Sequence, residues 1–181
     1  MKITNDVIIV DPNNKQLGVY DKIRAHQEGL LHRAFSIFIF NHKNETLLQK
    51  RALQKYHSGG LWGNTVCSHP KPNEDILKSI ERRMIEEVGF STNVSEVFSF
   101  IYKSEYENNM TEHEFDHVFV GSYDKNPNLN PSEASDYRWV NIDYLKSDLL
   151  KSPEKYTSWL KIIFENEEYL EKITNYQSKV V

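Results

Sequence analysis

Short apolar runs separated by turn-forming residues set the pattern of this chain. Val7–Val10 and Leu17–Tyr20 read as strands on either side of a turn at Asp11-Pro12-Asn13-Asn14. Asp21 suits the cap of a short helix running through His26. Arg33–Phe40 and Thr46–Arg51 flank Asn41-His42-Lys43-Asn44-Glu45 as the arms of a hairpin. Leu61–His69 reads as a strand after the flexible Ser58-Gly59-Gly60, and further strands are expected at Val97–Tyr106, Glu112–Ser122 and Tyr137–Val140. Two prolines and three asparagines make Asp124–Ser132 a loop.

The clearest helix is Glu74–Val88. Asn73 suits its N-cap, Glu74 and Asp75 suit the positive end, and Gly89 suits the C-terminal stop. On a helical wheel Ile76, Leu77, Ile80, Met84 and Val88 form one apolar stripe. Glu87 falls inside that stripe and Glu86 outside it. A carboxylate aimed at a core needs a cation or a metal ion beside it, and Arg83, four residues earlier, offers an ion pair. A last helix is expected from Pro153, with Tyr156, Trp159, Leu160, Ile163 and Phe164 on one apolar face. Strands in the middle with helices at intervals predict an α/β or α+β sandwich with a mixed sheet. No repeat or low-complexity linker divides residues 1–181, so one domain is expected.

Composition narrows the class. Of 181 residues, 39% are hydrophobic and 27% charged, which supports a packed core and argues against wholesale disorder. A net charge of −4 argues against a general nucleic-acid binder, although a local basic pocket for phosphates remains open. Uncharged apolar runs such as Phe35–Phe40 are far shorter than the ~20 residues a membrane span needs. Neither terminus carries a recognisable address, so a soluble cytoplasmic protein is expected, as a monomer or homodimer. The single cysteine, Cys67, excludes an internal disulfide framework and a multi-thiolate zinc site.

Several polar clusters interrupt this pattern. In a strand Cys67 and His69 point to one face; the choice lies between an inert buried thiol and a functional pair. Glu112, Glu114 and Asp116 likewise share a face, and adjacent carboxylates are either solvated or bridged by a cation. His113 and His117 face the other way and read as structural. His26 and His32 read as surface histidines or as ligands. His42 and His57 lie in turn-like stretches and receive no assignment.

The helix Glu74–Val88 resembles the Nudix box, a glycine followed by spaced glutamates, an arginine-glutamate pair and a closing Glu-Glu-x-Gly-apolar run. Glu74, Arg82, Met84, Glu86, Glu87, Gly89 and Phe90 fill their positions. Ser68 stands at the first glycine, and Arg83 replaces the glutamate after the arginine. Hydrolases of this family use that glutamate in a magnesium cluster, so the arginine argues against pyrophosphate hydrolysis while leaving the fold intact. Together His26…Leu31-His32-Arg33-Ala34-Phe35, Arg51-Ala52-Leu53, Trp62-Gly63-Asn64-Thr65-Val66-Cys67-Ser68-His69-Pro70, Arg82-Arg83-Met84-Ile85-Glu86-Glu87 and Glu112-His113-Glu114-Phe115-Asp116-His117 resemble the type 1 isopentenyl-diphosphate isomerases. The resemblance spans roughly Asp21 to Phe164.

It implies a Nudix-like α/β/α sandwich and a shift of the double bond of isopentenyl diphosphate to give dimethylallyl diphosphate. His26, His32, His69, Glu112 and Glu114 resemble the ligands of a site for Mn²⁺, Mg²⁺ or Zn²⁺. Cys67 and Glu114, the latter with Tyr102, resemble acid–base groups on opposite sides of the substrate. Glu87 and the Cys67 backbone resemble a second site, for the Mg²⁺ that meets the diphosphate. Lys22, Arg51, Lys55 and Arg83 resemble diphosphate contacts, and Tyr102 and Trp159 resemble aromatic residues lining the hydrocarbon end. A Nudix pyrophosphohydrolase and a non-catalytic, metal-stabilised Nudix binding domain are the rival readings.

Overall fold

The computed structural model describes residues 5–106 and 108–177. Met1–Thr4 and Ser178–Val181, the ends read above for targeting signals, lie outside the described residues. Strands β1 (Asp6–Val10) and β2 (Gln16–Asp21) form an antiparallel hairpin. Helix α1 (Lys22–Glu28) follows, with the Asp21 carboxylate accepting from Arg24 N–H at its start. Strand β3 (His32–Phe40) is buried at every position but one and occupies the centre of the sheet. It pairs in parallel with β8 (Thr111–Ser122) and antiparallel with β6 (Val66–Ser68). Such burial on both faces explains the nearly continuous apolar sequence of Ala34–Phe40.

Strand β4 (Glu45–Arg51) corrects the hairpin expectation. It touches β3 only at Phe40–Thr46, then leaves to pair along its whole length with β9 (Ala134–Asn141). The turn is therefore a corner between two arms of the sheet. The expected strand at Leu61–His69 is likewise broken, into β5 (Trp62–Gly63) on β4 and β6 on β3. The interval at Asn64 and Thr65 is where the chain crosses from one arm to the other. Strand β7 (Val94–Glu105) closes the sheet against β8.

Helices cover both faces. Helix α2 (Ile76–Val88) packs Ile80, Met84 and Val88 against Phe35, Ile37, Ile39 and Phe119. Its cap is Asp75, which accepts from Leu77 and Lys78 N–H, and not Asn73, which sits in a left-handed turn. Leu77 also departs from the expected stripe, being 54% exposed. On the other face α4 (Ser158–Glu165) and α5 (Glu167–Gln177) join α3 (Ile142–Lys151) over Phe38, Phe100, Val118 and Val120. Pro153 opens only a 3-10 turn through Lys155; α4 starts later, yet Tyr156, Trp159, Leu160, Ile163 and Phe164 are all buried together. Among the described residues no helix is long and apolar enough to cross a membrane.

Gly89 ends α2 in the left-handed region at φ 75°, and a Cβ there would meet Asn128 O at 2.6 Å. Gly89→Ala is expected to cost at least ~2 kcal/mol, lowering Tm by roughly 4–8 °C, from left-handed strain and backbone contact combined. A thermal melt checks this, and an unchanged Tm would refute the close approach.

Candidate functional site

One face of β8 reads Glu112, Glu114, Asp116, Val118, Val120. The two valines enter the core beneath α4 and α5. The three carboxylates continue the same buried row past its edge, with Glu112 only 3% exposed, so the solvated alternative for this cluster does not hold. Sheet register brings partners to Glu114 from both sides. His32 on β3 and Tyr102 on β7 are its direct cross-strand neighbours. Tyr102 O–H donates to Glu114 Oε2 at 2.6 Å, and His32 Nε2 stands 3.6 Å from Oε1. Helix α1 contributes His26, and His69 follows β6 with Nε2 2.7 Å from Glu114 Oε1. His26 and His32 are fully buried, which removes the surface-histidine alternative.

The chemistry of this donor set suits a divalent cation. His26 Nδ1 lies 2.6 Å from Lys22 O, and His32 Nδ1 lies 2.8 Å from Leu30 O. A carbonyl only accepts, so both Nδ1 atoms carry hydrogen and both Nε2 atoms turn toward the carboxylates. There His26 Nε2 faces Glu112 Oε2 at 3.2 Å, and His32 Nε2 faces His69 Nε2 at 3.2 Å. Glu112 Oε2 is buried without a hydrogen-bond partner. Ligand atoms of His26, His32, His69, Glu112 and Glu114 all lie within 4.8 Å of one another. Three imidazoles and two carboxylates with fixed outer hydrogen bonds form the kind of mixed nitrogen and oxygen set that holds a divalent metal ion.

Electrostatics follow from burial and these contacts. Burial raises the Glu112 carboxyl, but His26 and His57 overcome this and hold it well below its ordinary value. Burial and Glu112 push Glu114 upward too, and hydrogen bonds with His32 and His69 more than offset them. Burial lowers His69 to about 3, so its ring is neutral at ordinary pH. Burial and the charge of Glu114 drive Asp116 the other way, well above the carboxylate range, while Ser36 O–H donates to its Oδ2 at 2.7 Å.

Cys67 sits across from Ser36 in the β3–β6 ladder. Burial, followed by the charge of Asp116, pushes its thiol well above the ordinary value. The S–H donates to Asn64 Oδ1 at 2.8 Å. Cys67, His69, Glu112, Glu114 and Tyr102 line the same pocket as Lys22, Arg51, Lys55, Arg83, Glu87 and Trp159. The sequence-derived candidates thus converge, with His26 and His32 behind the wall.

The cationic side of the pocket is not a set of free charges. Lys55 pairs with Glu133, and Arg83 contacts Glu87 and Glu86 at 2.6 Å and Glu133 at 3.1 Å. Burial disfavours the Arg83 charge, but Glu87 and Glu133 outweigh it and raise its pKa. Burial lowers Lys22. The other oxygen of Glu87 accepts from Gln49 Nε2 at 2.7 Å. Both Glu87 oxygens are therefore engaged, and the Arg83 ion pair is what the structure contains there.

Several site residues carried no signal in the sequence. His57, assigned nothing above, is buried with Nε2 2.5 Å from Glu112 Oε1 and its ring stacked on Tyr106. Glu133 and Gln49 tie down Arg83 and Glu87 from a loop and a strand. Periodicity says nothing about a turn residue such as His57, although its neighbour Lys55 already marked that loop.

A family model described as NUDIX domain matches residues 30–160. Isopentenyl-diphosphate Delta-isomerase 2 of Aromatoleum aromaticum is 48% identical over 86% of this chain and 82% of its own length. Isopentenyl-diphosphate Delta-isomerase 2 of Photorhabdus laumondii is 45% identical over 90% of this chain and 92% of its own. Among solved structures, DR0079 from Deinococcus radiodurans superposes with a TM-score of 0.73 at 16% identity, covering 88% of this chain and 97% of that one. The MutT protein from Methanosarcina mazei gives 0.62 at 17% identity over 81% of this chain and 95% of that one, and both likenesses concern the fold alone. On the strength of the sequence relatives and the domain match, the chain belongs to the isopentenyl-diphosphate Delta-isomerase family within the Nudix fold.

Proposed function

We propose that this protein isomerises isopentenyl diphosphate to dimethylallyl diphosphate in the cytoplasm. The observation that carries the reading is the joining of two proton-handling groups, Cys67 and the Tyr102–Glu114 pair, in one pocket with a cationic wall. The reaction needs a proton delivered to the terminal alkene carbon and another removed from the carbon next to the oxygen-bearing one. Between these events the substrate is a tertiary carbocation, which water would trap, so the reacting end must be enclosed. Tyr102 and Trp159, both buried, supply apolar walls there. The Trp159 ring already holds the Arg51 guanidinium 5.2 Å from its centroid, a sign that its face accepts positive charge.

Each face handles its own proton. Delivery by Glu114 with Tyr102 and removal by a Cys67 thiolate leaves Cys67 protonated and Glu114 ionised. Those are the states that burial and the histidines favour in the free site, so the ground state corresponds to the end of a forward turnover. Return of one proton from the thiol to Glu114 through solvent, once the product has left, resets the site. His26, His32, His69, Glu112 and Glu114 would hold Mn²⁺, Mg²⁺ or Zn²⁺, whose charge would offset the buried carboxylates and tune Glu114. At the other end, Lys22, Arg51, Lys55 and Arg83 bind the diphosphate, and Arg83 exchanges Glu87 and Glu133 for phosphate oxygens. Glu87 and the Cys67 carbonyl would hold the Mg²⁺ that accompanies the diphosphate, which would help neutralise the phosphate charge.

Incubation of the purified protein with isopentenyl diphosphate and Mg²⁺ tests the proposal. The dimethylallyl isomer is the expected product; released phosphate in its place would support a hydrolase, and binding without turnover a non-catalytic domain. Cys67→Ala should reduce the rate by ~10²–10⁴-fold while leaving Tm and bound metal nearly unchanged, and retention of most of the activity would remove the thiol from the mechanism.

Two glutamates separate the metal sites. Glu112→Gln is expected to deplete the metal held by the histidines, whereas Glu87→Gln should raise the Mg²⁺ concentration needed for substrate binding. Elemental analysis beside a magnesium titration distinguishes them, and equal loss of the same metal from both variants would contradict two sites.

For Trp159 the choice is between packing and cation stabilisation. Trp159→Phe should keep part of the rate and Trp159→Leu should lose ~10-fold or more at similar Tm. Rates normalised to folded protein decide the matter; a Leu variant as fast as wild type would assign the indole to packing.

A further inference from the structure

Asn64 lies outside the pocket lining, between β5 and β6, and is 1% exposed. Its amide is saturated. Nδ2 donates to Ile37 O at 3.1 Å and to Val66 O at 3.2 Å. Oδ1 accepts from Trp159 Nε1 at 3.0 Å and from Cys67 Sγ at 2.8 Å. These partners leave no ambiguity about the amide's orientation, because carbonyls only accept and an indole N–H only donates. Cys67 and Trp159 belong to distant parts of the chain, on β6 and α4, yet they share one acceptor atom.

We propose that Asn64 is a positioning residue which fixes the Cys67 thiol and the Trp159 indole relative to each other at the hydrocarbon end of the pocket. The inference deepens the isomerase reading and rests on it. The amide itself is anchored to two strands through Ile37 and Val66, so its Oδ1 is a fixed point to which both the thiol and the indole are tied. A carbocation formed between a proton-transfer group and an aromatic face demands this: an error of about 1 Å in either partner is costly to the reaction, while diphosphate binding at the opposite end is unaffected. Asn64 touches neither substrate nor reacting atoms and acts only through its two partners.

Sharing an acceptor also gives the coupling a sign. Two donors on one oxygen compete, so removing the indole N–H strengthens the hold of Asn64 on the S–H. Cys67 is the chain's single cysteine, and iodoacetamide labelling followed by mass spectrometry therefore reads that thiol alone. Trp159→Phe should slow labelling by roughly 3-fold, whereas loosened packing alone would speed it. Asn64→Ala should speed labelling by ~10-fold or more. In steady-state kinetics Asn64→Ala should lower kcat by ~10-fold or more with KM within about 3-fold of wild type. The double variant should lose no more than about 2-fold beyond the worse single variant, since both changes sever one linkage.

Labelling that is unchanged or faster in Trp159→Phe would overturn the proposal, as would additive kinetic losses or an Asn64→Ala effect confined to KM. If Asn64→Ala fails to fold because Ile37 O and Val66 O lose their donor, the Trp159→Phe labelling rate still decides. Labelling requires no turnover. A wild-type protein that does not isomerise would refute the functional reading, and the thiol measurement would still test the Asn64 linkage.

Discussion

Two buried carboxylates, Glu112 and Glu114, and the Nε2 atoms of three histidines converge on one small volume, and the rest of the site is arranged around that cluster. Each carboxylate would be expensive to bury alone. The surrounding structure lowers the cost through aimed partners: His57 on one oxygen of Glu112, Tyr102 O–H on Glu114, and backbone carbonyls that lock His26 and His32 with Nε2 inward. What these contacts leave at the centre is carboxylate oxygens facing imidazole nitrogens. Such a centre is stable only with positive charge in it, whether protons or a divalent ion. The fold supplies the rigidity, because His32, Glu114 and Tyr102 are consecutive neighbours across three paired strands.

Much of this was legible in the sequence where a local rule governs. The C-terminal end of α2 follows from its stop at Gly89, and Glu87 within an apolar stripe correctly signalled a buried charge needing a partner. The alternation of Glu112, Glu114 and Asp116 gave their shared face but not its burial, since alternation is blind to what covers a strand. Non-local pairing was the main loss. The strand after Asn44 looked like the second arm of a hairpin, yet its partner β9 lies far along the chain. Likewise, the break at Asn64 arises from crossing between two arms of the sheet, and nothing in Leu61–His69 announces it. His57 was invisible for another reason: a turn residue reaches the site only because the loop folds back over α1 and β8.

Burial also sorts the titratable groups into two populations. Glu112 and Glu114 are held ionised by histidines, whereas Asp116, one step further along the same face, has no cationic partner and is pushed toward its neutral form. The change comes within a single strand face as it passes from the histidines to Val118. Cys67 lies beside Asp116, through Ser36, and burial pushes its thiol up. Adjacent positions on one scaffold thereby hold an ionised base and a protonated acid, with desolvation and specific partners deciding which is which.

Replacement of one Nudix-box glutamate by Arg83 relocates the charge of the whole pocket. In that position an acid would join Glu86 and Glu87 in a cluster demanding cations on α2. Arg83 instead neutralises both and draws in Glu133. The helix then meets the pocket as a cationic surface held in reserve by carboxylates, suited to receiving phosphate oxygens and unsuited to activating water against them. The demand for a divalent ion moves to the opposite side, where β3, β8 and α1 converge. Glu114 belongs to the cluster there and Cys67 lines the same pocket as Arg83 and Glu87, so one cavity joins the cationic wall of α2 to the buried carboxylates of β8.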